Sequence, residues 1–270
     1  MKKILAVLVL LFAISTNAQA EFSRYFFSGD GKLSLKAEGK GMDKVSPRLI
    51  AILDYLQDQL GGGKAKIEIQ SGYRSPEYNE SLRQKGKLAG KASLHIDGMA
   101  VDFVMLGIPA KKIWEYVRGL NCCGIGYYHG DGVHLDTGPA RFWDEKTTKV
   151  FTDISLHNKQ IYVTTEYDIY QPGETLQFRL ARITEVPFGM ESEVALLKNK
   201  KEWKKVKVEG DKGCITIKNR EGAKAFFVKL PTEVTSSNEK LGLKISFCSK
   251  PAPEMPETAT SNTFIIASPQ

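Results

Sequence analysis

The chain contains four histidines, and two of them stand in settings that could hold a metal ion. The first setting is Ser93-Leu94-His95-Ile96-Asp97-Gly98-Met99-Ala100-Val101-Asp102. His95 falls in a loop and Asp102 in the strand that follows, so the loop can fold back until imidazole and carboxylate meet. Gly98 gives the backbone the freedom for that turn. The second setting is Asp131-Gly132-Val133-His134-Leu135-Asp136. If His134 projects from a neighbouring strand, it supplies a third ligand. Two imidazoles and one carboxylate leave a fourth position for water, the open shell of a catalytic zinc rather than the closed shell of a structural one. Such an ion lowers the pKa of a water and polarises a carbonyl. Taken one at a time, each motif is weak, because a lone histidine before a strand is more often an ordinary satisfied group, so the weight rests on the wider context.

Asp136 lies two residues after His134. Residues two apart in a strand share a face, so Asp136 can either activate water or orient His134 from behind. Ser93 is two residues from His95, but no Ser-His-Asp arrangement is required, and His95 is better used on the metal. Tyr73, Tyr127 and Tyr128 could line a groove, although aromatic strand residues more often pack in cores.

These residues need elements to hold them. Ser46-Pro47 opens a helix, with Ser46 as N-cap and Pro47 at the first helical position. Leu49, Ile50, Leu53, Leu56 and Leu60 recur at helical spacing until Gly61-Gly62-Gly63 ends the run. Lys66 to Gln70 alternates like a strand. Ser75-Pro76 opens a second helix through about Lys85, and Gly86 to Lys91 reads as a loop. Met99 to Val104 reads as a strand, and Pro109 to Leu120 as a helix with Ile113, Trp114 and Val117 inward. Gly124 to Tyr128 and Gly132 to Asp136 form a hairpin. From about Ser155 helix signals vanish and short strands recur at regular spacing between turn residues, the pattern of a β-sandwich. The expected fold class is therefore α+β, with an all-β sandwich-like unit following the metal-bearing one.

Four motifs then occur in order: Ser71-Gly72-Tyr73-Arg74-Ser75, Ser-x-His-x-x-Gly-x-Ala-x-Asp, Gly-x-Gly-Tyr-Tyr and His-x-Asp-Thr-Gly, the last followed by Arg141 and Trp143. The series resembles the zinc D-Ala-D-Ala peptidases (family M15), which share the hedgehog fold, and most of all their periplasmic murein endopeptidase branch. The resemblance covers about Glu21 to Asp144. It implies zinc on His95, Asp102 and His134. It also implies a substrate or oxyanion role for Arg74, whose guanidinium can donate two hydrogen bonds to a carboxylate or a developing oxyanion. Some branches carry an acid three residues before the last histidine, where this chain has Asp131. Others carry a histidine two residues before it, where this chain has Gly132. Asp136 ranks ahead of Asp131 as general base, and His129 is a further candidate for transition-state stabilisation. The implied substrate is a peptidoglycan peptide, cut at a cross-link or a stem. The alternative is a non-catalytic zinc-binding module for wall or protein.

The ends and the composition fit that reading. Lys2 and Lys3, the apolar run Ile4 to Ile14 and Ala18-Gln19-Ala20 form a secretory signal peptide over residues 1–20. The apolar run is too short against the roughly 20 residues a spanning helix needs. Expected units are thus 1–20, a zinc peptidase domain over 21–150 and a β-rich domain over 155–270, in the periplasm or secreted. Removing Lys2 and Lys3 takes the formal charge from +7 to +5. Nucleic acid is excluded as a partner for an exported chain, stable membrane insertion is not expected, and mild positive charge favours encounter with an anionic wall polymer. The β-rich domain is left with a wall or protein partner to bind. Of four cysteines, Cys214 and Cys248 are expected to pair. Cys122 and Cys123 are expected to be free thiols, because an adjacent-pair disulfide is strained. No Cys-x-x-Cys spacing exists to hold zinc.

Overall fold

The computed structural model describes residues 23–28, 33–87, 89–148, 156–210, 212–233 and 239–267. The expected signal peptide and the expected boundary at 150–155 lie outside the described residues. Among those described, no helix is long and apolar enough to cross a membrane.

The first half is built on one mixed sheet. In chain order its elements are β1 (Ala37–Gly39), α1 (Pro47–Gly61), β2 (Ile67–Ser71), α2 (Pro76–Gln84), β3 (Ala100–Met105), α3 (Ala110–Leu120), β4 (Gly124–Tyr127), β5 (Gly132–Asp136) and β6 (Arg141–Asp144). The strands lie in the order β1-β2-β3-β5-β4-β6. Both N-terminal caps fall where the sequence placed them: the Ser46 hydroxyl accepts from the Leu49 amide at 3.4 Å, and the Ser75 hydroxyl from the Tyr78 amide at 3.2 Å. Each satisfies one of the amides that a helix start leaves without a partner.

Strand periodicity then divides the sheet into two faces. Val101, Phe103 and Met105 of β3, Val133 and Leu135 of β5 and Ile125 of β4 point to one side. There they bury against Leu49, Leu53 and Leu56 of α1 and Ile113 and Val117 of α3. The alternate positions, Ala100, Asp102, His134 and Asp136, face away from the helices, and they carry the polar side chains. β1 and β6 were not foreseen: β1 has only three residues, and β6 follows so closely on the β5 turn that no separate strand signal stands out.

The rest is strand and loop: β7 (Tyr162–Thr165), β8 (Ile169–Tyr170), β9 (Thr175–Ala181), β10 (Phe188–Glu191), β11 (Glu193–Lys198), β12 (Lys201–Lys207), β13 (Cys214–Ile217), β14 (Phe226–Lys229), β15 (Leu241–Ser249), β16 (Thr258–Thr260) and β17 (Ile265–Ile266). One sheet runs β12-β11-β15-β10-β13 with β16 on β15, a second runs β14-β9-β7, and β17 pairs with β8. Val163, Phe178 and Phe226 from the second sheet share one apolar cluster with Met190, Leu196 and Leu243 from the first. Few helices and many strands make the molecule α+β. The basic stretch Lys198 to Lys207 runs from the end of β11 through the turn into β12, the outer strand of the hairpin, with most of the β12 side chains in solvent.

Cys214 is bonded to Cys248, joining β13 to the end of β15. Cys122 is bonded to Cys123, which corrects the expectation of free thiols. The pair occupies the short turn between α3 and β4, just after Asn121 ends the helix in a left-handed conformation at φ 52°.

Candidate metal centre

The register of the sheet brings the ligands together. Asp102 of β3 stands directly opposite His134 of β5. His95 arrives from the loop before β3, where its carbonyl accepts from the Arg74 amide at 3.1 Å. The three side chains are buried and offer atoms that all lie within 4.8 Å of one another.

Hydrogen bonds decide which ring nitrogens face inward. His95 Nδ1 donates to the Gly72 carbonyl at 2.7 Å. That carbonyl can only accept, so the lone pair of His95 sits on Nε2. His134 Nε2 donates to the Asp136 carboxylate at 2.8 Å, which leaves the lone pair on Nδ1. His95 Nε2 and His134 Nδ1 are 3.3 Å apart. Asp102 Oδ1 lies 3.3 Å from the first and 3.0 Å from the second. Ligands of a tetrahedral zinc at about 2.0–2.1 Å stand roughly 3.3–3.4 Å from each other. The three atoms therefore outline one face of such a shell. Three converging acceptors also repel unless a cation or a proton sits among them. The donor set fits a divalent metal ion of the zinc type.

Around this core lies a second ring of contacts. The Arg74 guanidinium donates to Asp102 Oδ2, and its Nε donates to the Ser71 hydroxyl at 2.8 Å. The Tyr128 hydroxyl donates to Asp102 Oδ1 at 2.8 Å. Arg141 grips Asp136 with both ends of its fork, at 2.9 and 2.6 Å, and the Gly138 amide adds a bond at 2.9 Å. The Trp143 ring lies 5.7 Å from the His134 ring, centroid to centroid.

The charges follow from these neighbours. Burial pushes the Asp102 carboxyl up, but His95 and His134 outweigh it and hold the pKa well below the ordinary value. Burial dominates at His95 and lowers its pKa, keeping the imidazole neutral. At His134 burial also pulls down, yet Asp102 and Asp136 carry the pKa above normal, so without a cation a proton on Nδ1 faces Asp102, and a metal ion would take that proton's place. Asp136 is driven up by burial and further down by Arg141 and His134, so it stays ionised. Tyr128 is pushed up by burial first and by Asp102 second, so its hydroxyl keeps its proton and remains a donor.

Two glycines make room for this ring. Across the sheet, Asp102, His134, Gly126 and Trp143 form one row, and Ala100, Asp136, Gly124 and Arg141 form the next. A Cβ on Gly126 would sit 2.1 Å from the Trp143 ring, and one on Gly124 would sit 2.3 Å from the Asp136 carboxylate. Any larger residue would drive Trp143 or the Asp136–Arg141 pair out of place.

The structure thus brings together His95, Asp102, His134, Arg74 and Asp136. It places Asp136 behind His134 with its oxygens engaged by Arg141, Gly138 and His134, the orienting position of the two that the sequence allowed. Asp131 is exposed in the turn before β5, outside the buried cluster. His129 also lies apart: its Nε2 pairs with Asp144 at 2.7 Å on the surface, and its ring rests on Tyr127. Tyr128, an aromatic strand residue of the kind that more often packs in a core, instead touches a candidate ligand. The signal was available in Gly124-x-Gly126, two small residues on one face of a strand, which announce bulky neighbours crossing it.

Residues 34–143 match the family model described as Peptidase_M15_2, peptidoglycan L,D-endopeptidase MepK. The chain is 38% identical over 101 residues to a probable peptidoglycan L,D-endopeptidase MepK of Haemophilus influenzae, covering 37% of this chain and 54% of that one. It is 39% identical over 100 residues to peptidoglycan L,D-endopeptidase MepK of Escherichia coli K12, with the same two shares. Residues 34–143 are thus similar to the murein endopeptidase branch of the M15 peptidases. The match takes in all seven candidate residues, from Arg74 to Asp136. The chain spans about half the length of the curated relatives it matches. Among solved structures it is similar to the sporulation control protein Spo0M of Bacillus subtilis at 16% identity and a TM-score of 0.24, over 40% of this chain and 49% of that one. That likeness is too loose to bear on the fold.

Proposed function

We propose that this chain is an exported zinc peptidase that hydrolyses an L,D peptide bond in the cross-links of peptidoglycan. One observation carries the reading: three acceptor atoms of His95, Asp102 and His134 converge at 3.0–3.3 Å inside a segment that matches the L,D-endopeptidase family. The names of the relatives favour the cross-link over the terminal alanine.

In this reading His95, Asp102 and His134 hold the ion. Lewis acidity toward a water and toward the scissile carbonyl is what zinc would supply there. Gly72 and Asp136 fix the two imidazoles so that their free nitrogens face the ion. Arg74 and Tyr128 hold the Asp102 carboxylate, and Arg74 adds positive charge beside the place where an oxyanion develops. Peptidoglycan peptides carry free carboxylates, which suits that charge. The first half is read as a hedgehog-like peptidase domain over 21–150 and the second as a β-sandwich over 155–270. Residues 1–20 direct the chain to the periplasm or beyond.

A second reading has one observation in its favour. Asp136 is spent on His134 and Arg141, and Asp131 is exposed, so neither sits as a base over the ligand triangle. A metal-binding module without hydrolysis would look the same. Digestion of purified peptidoglycan by the chain, with and without a chelator and read by mass spectrometry, separates the two. Chelator-sensitive loss of cross-linked dimers supports the peptidase. A folded protein with about one zinc and no product would leave the binding module standing.

A further inference from the structure

The loop that carries His95 is gripped from two sides. On the side of its own sheet, its backbone bonds to Arg74, and Gly98, at φ +67°, passes its carbonyl to the Ser46 amide at 2.7 Å. On the other side it meets the C-terminal strands. Asp97, two residues after His95, accepts from the Arg182 amide at 2.9 Å and from the Arg220 guanidinium at 3.2 Å. Arg220 in turn donates to the Ile183 carbonyl, so one guanidinium ties Asp97 to the chain just beyond β9. Leu94 and Met99, which bracket His95, bury in a small cluster with Ala100, Tyr162 of β7 and Ala181 of β9. The Tyr162 hydroxyl reaches the Met99 sulfur at 3.6 Å.

We propose that the C-terminal strands act as a clamp on the metal centre, with Asp97 as the positioning residue that transmits their grip to His95. The proposal rests on the reading of His95, Asp102 and His134 as ligands. Asp102 and His134 are held by sheet register, but His95 sits on a loop, and its placement is the one that packing must supply. A ligand has to stand within about 0.5 Å of its productive position for the site to bind well. The clamp settles the loop before the ion arrives, so less ordering is charged against binding. Tyr162, Ala181, Arg182 and Arg220 all lie outside residues 34–143, so the clamp comes from beyond the segment matched to the L,D-endopeptidases. The C-terminal half thereby gains a role in the site that requires no wall or protein partner.

The test uses the full chain and the zinc ion itself. Zinc affinity is measured by competition with a chromophoric chelator for wild type, Asp97→Ala, Arg220→Gln and the double variant. It is read at a temperature where the zinc-free proteins are folded by circular dichroism. Asp97→Ala should weaken zinc about tenfold, the lower end of what a supporting contact contributes, and Arg220→Gln several-fold. The double variant should be no weaker than Asp97→Ala alone, because both changes cut one link. A purely structural contact would lower the melting temperature and leave the affinity of the folded protein alone. If Asp97→Ala fails to fold, Arg220→Gln, whose side chain is partly exposed, decides by itself. Wild type binding one zinc with both variants within twofold of it would overturn the clamp and spare the metal site. Wild type binding no zinc would overturn both.

Discussion

The two halves of this molecule bury polar groups in different ways. In the first half, His95, Asp102, His134, Asp136 and Arg74 are all buried on one face of one sheet, within a connected set of ion pairs. In the second half the inward faces of β7, β9, β10, β11, β14 and β15 are apolar. Its buried polar residues, such as Asn158, Thr165 and Asp168, tie loops and termini, and Asp168 also pairs with Arg48 of α1. Burying an ionised group costs several kcal/mol unless partners repay it. A half that gathers buried charges on its sheet and on the loops beside it gives up stability for a site, whereas a half whose sheets turn apolar residues inward collects stability from packing. The contrast shows where chemistry is to be sought before any relative is consulted.

The comparison can be broken by four measurements. The largest effect should come from His134→Ala, which removes a candidate ligand. Bound zinc and loss of cross-linked dimers should both vanish, a fall of more than about a thousandfold in rate for a metal-dependent step. Retained activity without metal would refute the site. Next, Phe178→Ala should strip the second half of a buried ring stacked 5.2 Å from Phe226. It should cost about 3–5 kcal/mol in denaturant unfolding and leave zinc affinity unchanged wherever the protein is folded. A matching loss of affinity would mean that the halves divide their tasks less sharply than their cores suggest.

Asp136→Asn tests the orienting role. Zinc should bind about 10–100-fold more weakly, and the metal-free fold should lose about 2–3 kcal/mol as Arg141 is left beside a neutral group. The pH dependence has a definite sign. Burial raises the Asp136 pKa, but Arg141 and His134 bring it below the ordinary 3.8. The ionised carboxylate therefore stabilises the fold above about pH 3.8, and that contribution is lost as pH falls through the lower folded value. Urea unfolding of wild type and variant should converge in that acid window, and a gap that persists there would count against the ion pair. Smallest is Tyr128→Phe, which keeps the ring and removes one donor from Asp102. A loss of about 1 kcal/mol in zinc binding, a few-fold in affinity, should appear by the same chelator competition. No change would return Tyr128 to a packing role.

Local order was legible in the sequence. Ser46-Pro47 and Ser75-Pro76 marked the first two helix starts because capping depends on neighbours three residues away. Alternation in β3 and β5 put Asp102 and His134 opposite the apolar core, because side chains in a strand change face at every residue. The β-rich second half declared itself through turns and short apolar runs, and pairing Cys214 with Cys248 needed only two strands and the expectation of export. The strands β1 and β6 carried no signal of their own, because their short length left no periodicity to count.

Tertiary structure decided the rest. Nothing local states that Asp102 faces His134 across a strand pair, or that Gly124 and Gly126 open the sheet to Arg141 and Trp143. Nothing local sends Asp136 behind His134 instead of in front, ties His129 to Asp144, or lays the end of β9 against the His95 loop. Those facts depend on strand register and on contacts between residues up to 123 positions apart, such as Asp97 with Arg220. Residue types and short spacings determine which groups are available and which way a strand or helix turns them. Which groups meet is set by the packing of whole elements, where the free energy of burial is summed over the entire molecule.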